Sequence, residues 1–201
     1  MNETYKKQVR LLLDILPYVA EESDLAIHGG TAINLFVRGM PRLSVDVDLT
    51  FLPIDDRKTS LKNIADILVR IQERMTSGIA GLMVEAKTQI GKLLISKDNV
   101  LMKLEVNLIG RGTYAEPKKV ILCEHAQEQF DAFVEINMVP FGQLYGGKIC
   151  AALDRQHPRD LFDVKHLLEN EGFSNDVKKG IHLLSARKRT SHLRNAEPTS
   201  S

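Results

Sequence analysis

A glycine turn followed by two closely spaced aspartates constrains the fold of this chain more than any other feature. The turn is Gly29-Gly30, which ends one apolar run, and Asp46 and Asp48 lie inside the next. On a strand, side chains at positions i and i+2 point to the same face, so the two carboxylates would project side by side. The two carboxylates repel each other, and their desolvation is costly unless a cation neutralises their charge. Mg²⁺ suits this spacing, because it is usually bound by one or two carboxylates together with substrate phosphates.

The glycine turn offers a matching site for phosphate. Backbone N–H groups at a glycine turn that leads into a helix can bind phosphate oxygens, and the hydroxyls of Thr31 and Ser44 could contact phosphate too. The alternatives are structural: Gly29 and Gly30 make a tight turn with positive φ, and the two hydroxyls cap a helix or a local turn. The aspartates would then only end a strand at a solvated edge. Taken together, the turn and the aspartates predict a metal-assisted reaction on a nucleotide.

The composition excludes several classes of protein. The chain has 201 residues, a net charge of +1 and only two cysteines, Cys123 and Cys150. The near-neutral charge means that a nucleic-acid partner would have to meet a local patch. Two cysteines in apolar surroundings indicate buried free thiols instead of a disulfide framework. Since no secretory leader and no apolar run of membrane-spanning length is evident, we expect a cytoplasmic protein without a membrane partner.

Hydrophobic periodicity predicts strands and helices in a mixed order. Helices are expected over residues 3–22, 31–37, 58–75, 142–154 and 158–170, and strands over 25–28, 44–51, 82–86, 92–96, 100–108, 119–123 and 133–138. This order indicates an α+β domain, a mixed sheet flanked by helices, with a short helical C-terminal part. We expect a core over residues 1–140, a helical part that completes the site over 141–184, and a tail without regular structure over 185–201.

Glu105 is a third candidate carboxylate. It lies on a strongly alternating strand and shares a face with Lys103 and Asn107, while the apolar residues between them face the core. A third acid could complete a metal site or deprotonate an attacking hydroxyl. The alternative is an exposed strand residue that pairs with Lys103. His28, beside the glycine turn, could act as a base or be a partly buried structural residue.

A second group of charged residues follows near the C-terminus. Lys148 and Arg155 are seven residues apart and share a helix face, as do Asp160 and Asp163, which are three apart. Lys148 could neutralise triphosphate charge, with Asp160 orienting Lys148 or an arginine. The alternative is a set of surface salt bridges that holds two helices together.

The order of these motifs resembles one known family. Gly29-Gly30-Thr31, then Arg42-x-Ser44-x-Asp46-x-Asp48-Leu49, then Glu105, then Lys148, and finally Arg155-x-x-x-Arg159-Asp160-x-x-Asp163 together resemble the AbiEii family of nucleotidyltransferase-like toxins. These proteins belong to the DNA polymerase β-like nucleotidyltransferase superfamily and are the toxins of type IV toxin–antitoxin pairs linked to abortive infection. Related mycobacterial toxins transfer nucleotides to the acceptor end of tRNA.

The resemblance implies roles for the residues that match. Mg²⁺ would be bound by Asp46 and Asp48, with Glu105 as third ligand, and Lys148 and Asp160 would complete the catalytic site. The NTP would be held by Gly29, Gly30, Thr31, Ser44, Lys148, Arg155, Arg159 and Asp163. The implied activity is transfer of NMP from an NTP to an RNA hydroxyl, with tRNA as the expected acceptor and a cognate antitoxin as partner.

Two other functions are kept open. The first is a non-catalytic nucleotide-binding regulatory module, because Glu105 stands where the superfamily commonly has Asp and because many relatives continue with a larger helical domain. The second is transfer to a small molecule or to a protein side chain.

Overall fold

A computed structural model describes the backbone of residues 3–195 and the side chains of residues 3–186. Within that range the helices are α1 (Glu3–Ala20), α2 (Gly29–Ala32), α3 (Arg57–Gly78), α4 (Glu124–Phe130), α5 (Phe141–Arg155), α6 (Pro158–Asn170) and α7 (Asn175–Asn195). The strands are β1 (Leu25–His28), β2 (Val47–Phe51), β3 (Met83–Lys87), β4 (Lys92–Lys97), β5 (Val100–Asn107), β6 (Lys118–Ile121) and β7 (Glu135–Met138). A π-helical turn over Ile33–Val37 continues α2.

The described chain divides into two compact units. The first consists of residues 3–112 and 117–138, and the second of residues 113–116 and 139–195. The first unit contains a mixed sheet whose strand order is β3-β4-β5-β2-β1-β7-β6. β2 runs parallel to β5 and antiparallel to β1, while β1 runs parallel to β7.

Alternation along the central strands gives this sheet one apolar face. On β2, Val47 and Leu49 are fully buried, and so is Leu104 on β5. α1 contacts β5 and β7, α3 contacts β3, and the two helices contact each other, which covers apolar surface of the sheet. Polar side chains of the same strands lie on the opposite face, because successive residues of a strand point to opposite sides.

The second unit is a cluster of three helices. α5 packs against both α6 and α7. The crossing of α5 and α7 is very close, because a Cβ added at Gly180 would collide with the backbone carbonyl of Gly142, and one at Gly146 would lie 2.6 Å from the carbonyl carbon of Gly180. Asp176 stabilises the contact between α5 and α7. Its carboxylate accepts hydrogen bonds from the Tyr114 hydroxyl at 2.7 Å and from the Gly142 N–H at 2.8 Å. Burial and the Asp176 charge raise the pKa of Tyr114.

The predicted α+β architecture with a mixed sheet is confirmed, and the differences are local. β2 begins at Val47, so Asp46 precedes the strand instead of lying within it. α1 ends at Ala20, two residues before its predicted end, and contains Pro17. The short α4 was not predicted. Both cysteines are free, as predicted, but half-buried.

The C-terminal tail is a further difference. α7 runs to Asn195, so residues 185–195, which the composition led us to expect without regular structure, are helical. The helix forms because its earlier part packs on α5, which offsets the weak apolar pattern of its sequence. Residues 196–201 of the expected tail lie outside the described residues. No helix in the described part of the chain is long and apolar enough to cross a membrane.

Candidate functional site

The glycine turn and Asp48 are packed directly against each other. Gly29 follows β1 with φ of +77°, a backbone conformation that L side chains rarely adopt. A Cβ at this position would also lie only 2.5 Å from Oδ2 of Asp48. Gly29 is therefore required twice, once for the turn and once to admit the Asp48 carboxylate.

Hydroxyl groups fix the segment that carries Asp46. The Thr31 hydroxyl, fully buried at the start of α2, lies 3.0 Å from the Ser44 hydroxyl and donates to the Asp46 carbonyl at 2.5 Å. A Cβ at Gly30 would lie 2.9 Å from Oγ of Ser44 and 2.6 Å from a guanidinium nitrogen of Arg42. The turn, the hydroxyls and a guanidinium thus form one compact group, in which the Asp46 side chain is exposed.

Four polar residues form a row across four neighbouring strands. Lys92 of β4 is paired with Glu105 of β5, Glu105 with Asp48 of β2, and Asp48 with His28 of β1. Paired residues of adjacent strands project to the same face, so these side chains stand next to one another. Nδ1 of His28 lies 3.0 Å from the Thr50 hydroxyl, which orients the imidazole beside the aspartate.

Two lysines hold the side chain of Glu105. One of its oxygens, Oε2, lies 3.3 Å from Nζ of Lys92 and 3.2 Å from Nζ of Lys103. Burial acts to lower the pKa of Lys103, but the hydrogen bond with Glu105 and the charges of Asp46, Glu105 and Asp48 outweigh it, so the pKa is raised above its usual 10.5. Lys103 is thus the ammonium on which all three predicted metal-site carboxylates act.

An open groove of about 500 Å³ lies over this polar row. Its lining includes His28, Asp48, Lys92, Glu105, Asn107 and Ile109. A cavity of this size falls within the range that accommodates small ligands. The groove gives a substrate access to the carboxylates from the polar side of the sheet.

The donor set fits a hard divalent cation in part. Asp46 and Asp48 supply carboxylate oxygens, which Mg²⁺ prefers, and substrate phosphates commonly complete its coordination. Within the part of the chain described, however, no three acidic, histidine or cysteine side chains converge into a preformed metal cage. For Oε2 of Glu105 to serve as third ligand, this oxygen would have to leave the two lysines.

The second charged cluster lies in the second unit. Nζ of Lys148 on α5 is 2.9 Å from Oδ1 of Asp160 and 3.2 Å from Oδ2 of Asp163, both on α6. The two aspartates are only 1% and 2% exposed. Arg155 pairs with the other oxygen of Asp160 at 2.7 Å. Burial acts to raise the pKa of Asp160, but hydrogen bonds from Arg155 and Lys148 lower it below its ordinary value.

The structure thus brings the predicted residues together as two groups. The first unit holds Gly29, Gly30, Thr31, Ser44, Asp46, Asp48 and Glu105, and the second holds Lys148, Arg155, Asp160 and Asp163. Arg159 is exposed, and its backbone N–H donates to Nδ1 of His157 at the start of α6.

Three neighbours of the first group were not predicted as site residues, namely Arg42, Lys92 and Lys103. Lys103 shares a strand face with Glu105, and this alternation could have indicated it. Lys92 depends on the register of β4 against β5, which no local pattern specifies.

The comparisons with known proteins agree with this fold. The sequence model of the family described as "Nucleotidyl transferase AbiEii toxin, Type IV TA system" matches residues 10–200. None of the curated proteins matches the sequence. The solved structure of the nucleotidyltransferase toxin MenT4 from Mycobacterium tuberculosis H37Rv is similar, with a TM-score of 0.64 and 12% identity, over 83% of this chain and 59% of MenT4.

A second solved structure, ANT(2")-Ia in complex with adenylyl-2"-tobramycin, has a TM-score of 0.49 and 17% identity, over 92% of this chain and 99% of that one. The likeness to MenT4 shows a nucleotidyltransferase fold, and the chain matches about three fifths of the length of MenT4.

Proposed function

Because the chain belongs to the AbiEii nucleotidyltransferase toxin family, we propose that it transfers NMP from an NTP to a hydroxyl of RNA, with tRNA as the acceptor. In this reaction the hydroxyl oxygen forms a bond with the α-phosphorus, the bond to the bridging oxygen breaks, and pyrophosphate leaves. The hydroxyl proton passes to a base or to solvent. As the toxin of a type IV pair, the protein is expected to have a cognate antitoxin as its partner.

The observation that carries this proposal is the packing of Asp48 on the Gly29 turn at the edge of an open groove. A turn with no Cβ allows a phosphate to approach the backbone, and N–H groups in the first turn of a helix lack intrahelical partners. A phosphate bound at this turn would therefore lie beside the Asp48 carboxylate. This is the arrangement that a triphosphate with a bound divalent cation requires.

We assign Mg²⁺ to Asp46 and Asp48. When bound there, the ion would neutralise charge that develops on the phosphates during transfer. Thr31 fixes the backbone of the segment that carries Asp46, because its hydroxyl contacts the Ser44 hydroxyl and the Asp46 carbonyl. Arg42, beside Gly30, adds a positive charge where phosphate oxygens would lie.

Lys148 and Asp160 are proposed to take part in the same reaction, with Arg155, Arg159 and Asp163 in support. Their motif order along the chain is what supports this role. The ion pairs of Lys148 are compatible with both this proposal and the structural alternative, in which the cluster joins α5 to α6.

Transfer of labelled nucleotide to total RNA, with each NTP in turn and Mg²⁺ present, tests the proposal. The substitutions Asp48→Asn and Asp46→Asn should each lower transfer by about 100-fold or more, because metal-based charge stabilisation supplies several kcal/mol. The exposed Asp66→Asn on α3 is a matched control and should retain full transfer.

Full transfer by both aspartate variants would refute the assignment of the metal. Binding of NTP without transfer to RNA, protein or small-molecule acceptors would instead support the non-catalytic module. Label in the protein or small-molecule pool alone would replace RNA as the acceptor.

A further inference from the structure

We propose that Lys103 acts as an internal cation for the carboxylates of Asp46, Asp48 and Glu105, and that it competes there with the divalent metal ion. Glu105 holds Lys103 in place, and so it acts as a positioning residue and not as a metal ligand. The inference rests on the proposed function, since it concerns the metal assigned to Asp46 and Asp48. It assigns to two residues of β5 a role in setting metal affinity.

The charges around Lys103 carry the first step. Asp48 and Glu105 place two negative charges in the lining of the groove, and Asp46, two residues before Asp48, adds a third. Like charges this close destabilise one another. Nζ of Lys103 lies 3.2 Å from Oε2 of Glu105, and Glu105 is the register partner of Asp48 on the neighbouring strand. The charges of Asp46 and Asp48 act in the same direction as this contact and raise the pKa of Lys103. Lys103 therefore supplies the neutralisation that neighbouring carboxylates require when no metal is bound.

The tether is the second step. Oε2 of Glu105 contacts Lys103 at 3.2 Å and Lys92 at 3.3 Å, so this oxygen already has two cationic partners. All three side chains are about one third exposed. An ammonium on a four-carbon stem with that exposure can turn toward solvent while it remains near Glu105. Arrival of a divalent ion would thus displace Lys103 from the aspartates without leaving Glu105 unpaired.

The competition has a direct consequence for metal affinity. A second cation a few ångströms from the site weakens binding of a divalent ion by Coulomb repulsion, and removal of that cation should strengthen it. Replacement of Lys103 by the uncharged Met, which has a similar apolar stem, should therefore raise affinity for the metal alone by about tenfold at low ionic strength.

The experiment measures binding of Mn²⁺ alone by calorimetry and by the electron paramagnetic resonance signal of the free ion. The variants are Lys103→Met, Asp48→Asn and the control Lys87→Met. Lys87 lies on β3, three strands from Asp48, and pairs with Glu85 at 3.3 Å. We expect tighter binding for Lys103→Met, loss of binding for Asp48→Asn, and a change of less than about twofold for Lys87→Met.

The role of Glu105 is tested in the background without Lys103. If Glu105 is a tether, the double variant Lys103→Met/Glu105→Gln should bind Mn²⁺ within about threefold of Lys103→Met. If Glu105 is a ligand, the double variant should lose binding as fully as Asp48→Asn, and this result overturns the tether. Lys103→Gln repeats the single substitution with a polar side chain, and circular dichroism checks that each variant is folded.

The failure of this inference differs from failure of the proposed function. Mn²⁺ binding that depends on Asp48 but is unchanged or weakened by Lys103→Met overturns the inference and leaves the metal site standing. An absence of Mn²⁺ binding in both the unsubstituted protein and Lys103→Met overturns the inference and the metal assignment together.

Discussion

The substitution Lys148→Met should strongly destabilise the second unit. The Lys148 ammonium lies within 3.2 Å of two carboxylates that are almost completely buried, and its own side chain is only 9% exposed. Removal of one partner from a buried ion pair costs about 3–5 kcal/mol, because the remaining charge stays desolvated. Arg155 still contacts Asp160, but its side chain is 64% exposed and its interaction is screened by solvent. We therefore expect the free energy of unfolding to fall by about 3–5 kcal/mol.

The assay is urea denaturation followed by far-ultraviolet circular dichroism, together with hydrogen exchange of the amides of α5 and α6. Lys165→Met is the matched control, since Lys165 lies on α6 and pairs with Glu169 at 3.6 Å on the exposed surface. Such a pair is worth about 0.3–0.5 kcal/mol. A second substitution, Asp163→Asn in the Lys148→Met protein, should recover part of the loss by removing one of two repelling carboxylates. A loss for Lys148→Met as small as that of the control would refute this reasoning.

Three further predictions concern backbone packing and pH. Gly29→Ala should lower the rate of nucleotide transfer more than Gly39→Ala, as measured by a transfer assay on both proteins. Both glycines have positive φ, but only at Gly29 would the added Cβ meet a carboxylate. Gly180→Ala should lower the urea midpoint, whereas Gly147→Ala should not, since the added Cβ collides with backbone in the first case and makes an ordinary contact in the second. Asp160 has a lowered pKa, so its stabilising contribution is complete above its unfolded pKa of about 3.8 and is lost as pH falls through the lower folded pKa. Acid unfolding of Asp160→Asn should consequently show a weaker dependence on pH below 3.8 than that of the unsubstituted protein.

Local signals predicted the elements with strong periodicity or clear ends. α6 has the predicted bounds, Pro158–Asn170, because Pro suits the first turn of a helix and Gly172 suits its termination. β1 also has its predicted bounds, since a short apolar run ends at the glycine turn. The helix α4, of only two turns, has too few residues for its periodicity to stand out from a loop.

Some residues of the candidate site could likewise be predicted from local sequence, whereas others depend on strand pairing. The glycine turn could be predicted, because a positive φ is a local property, but the expected strand alternation applies only to Asp48, since Asp46 precedes β2. The place of Glu105 beside Asp48 depends on β2 lying parallel to β5, which joins residues 57 positions apart. Lys92 enters the site only through the pairing of β4 with β5.

The sequence by itself determined which residues are candidates to bind phosphate and metal, and the family motif order that they follow. Only the tertiary structure decided that Glu105 forms ion pairs with both Lys92 and Lys103, and that the charges of Asp46 and Asp48 act on Lys103. The physical reason is that residue type and local backbone conformation set what a side chain can do. The net charge around it depends on strand register, and register is set by packing over the whole sheet.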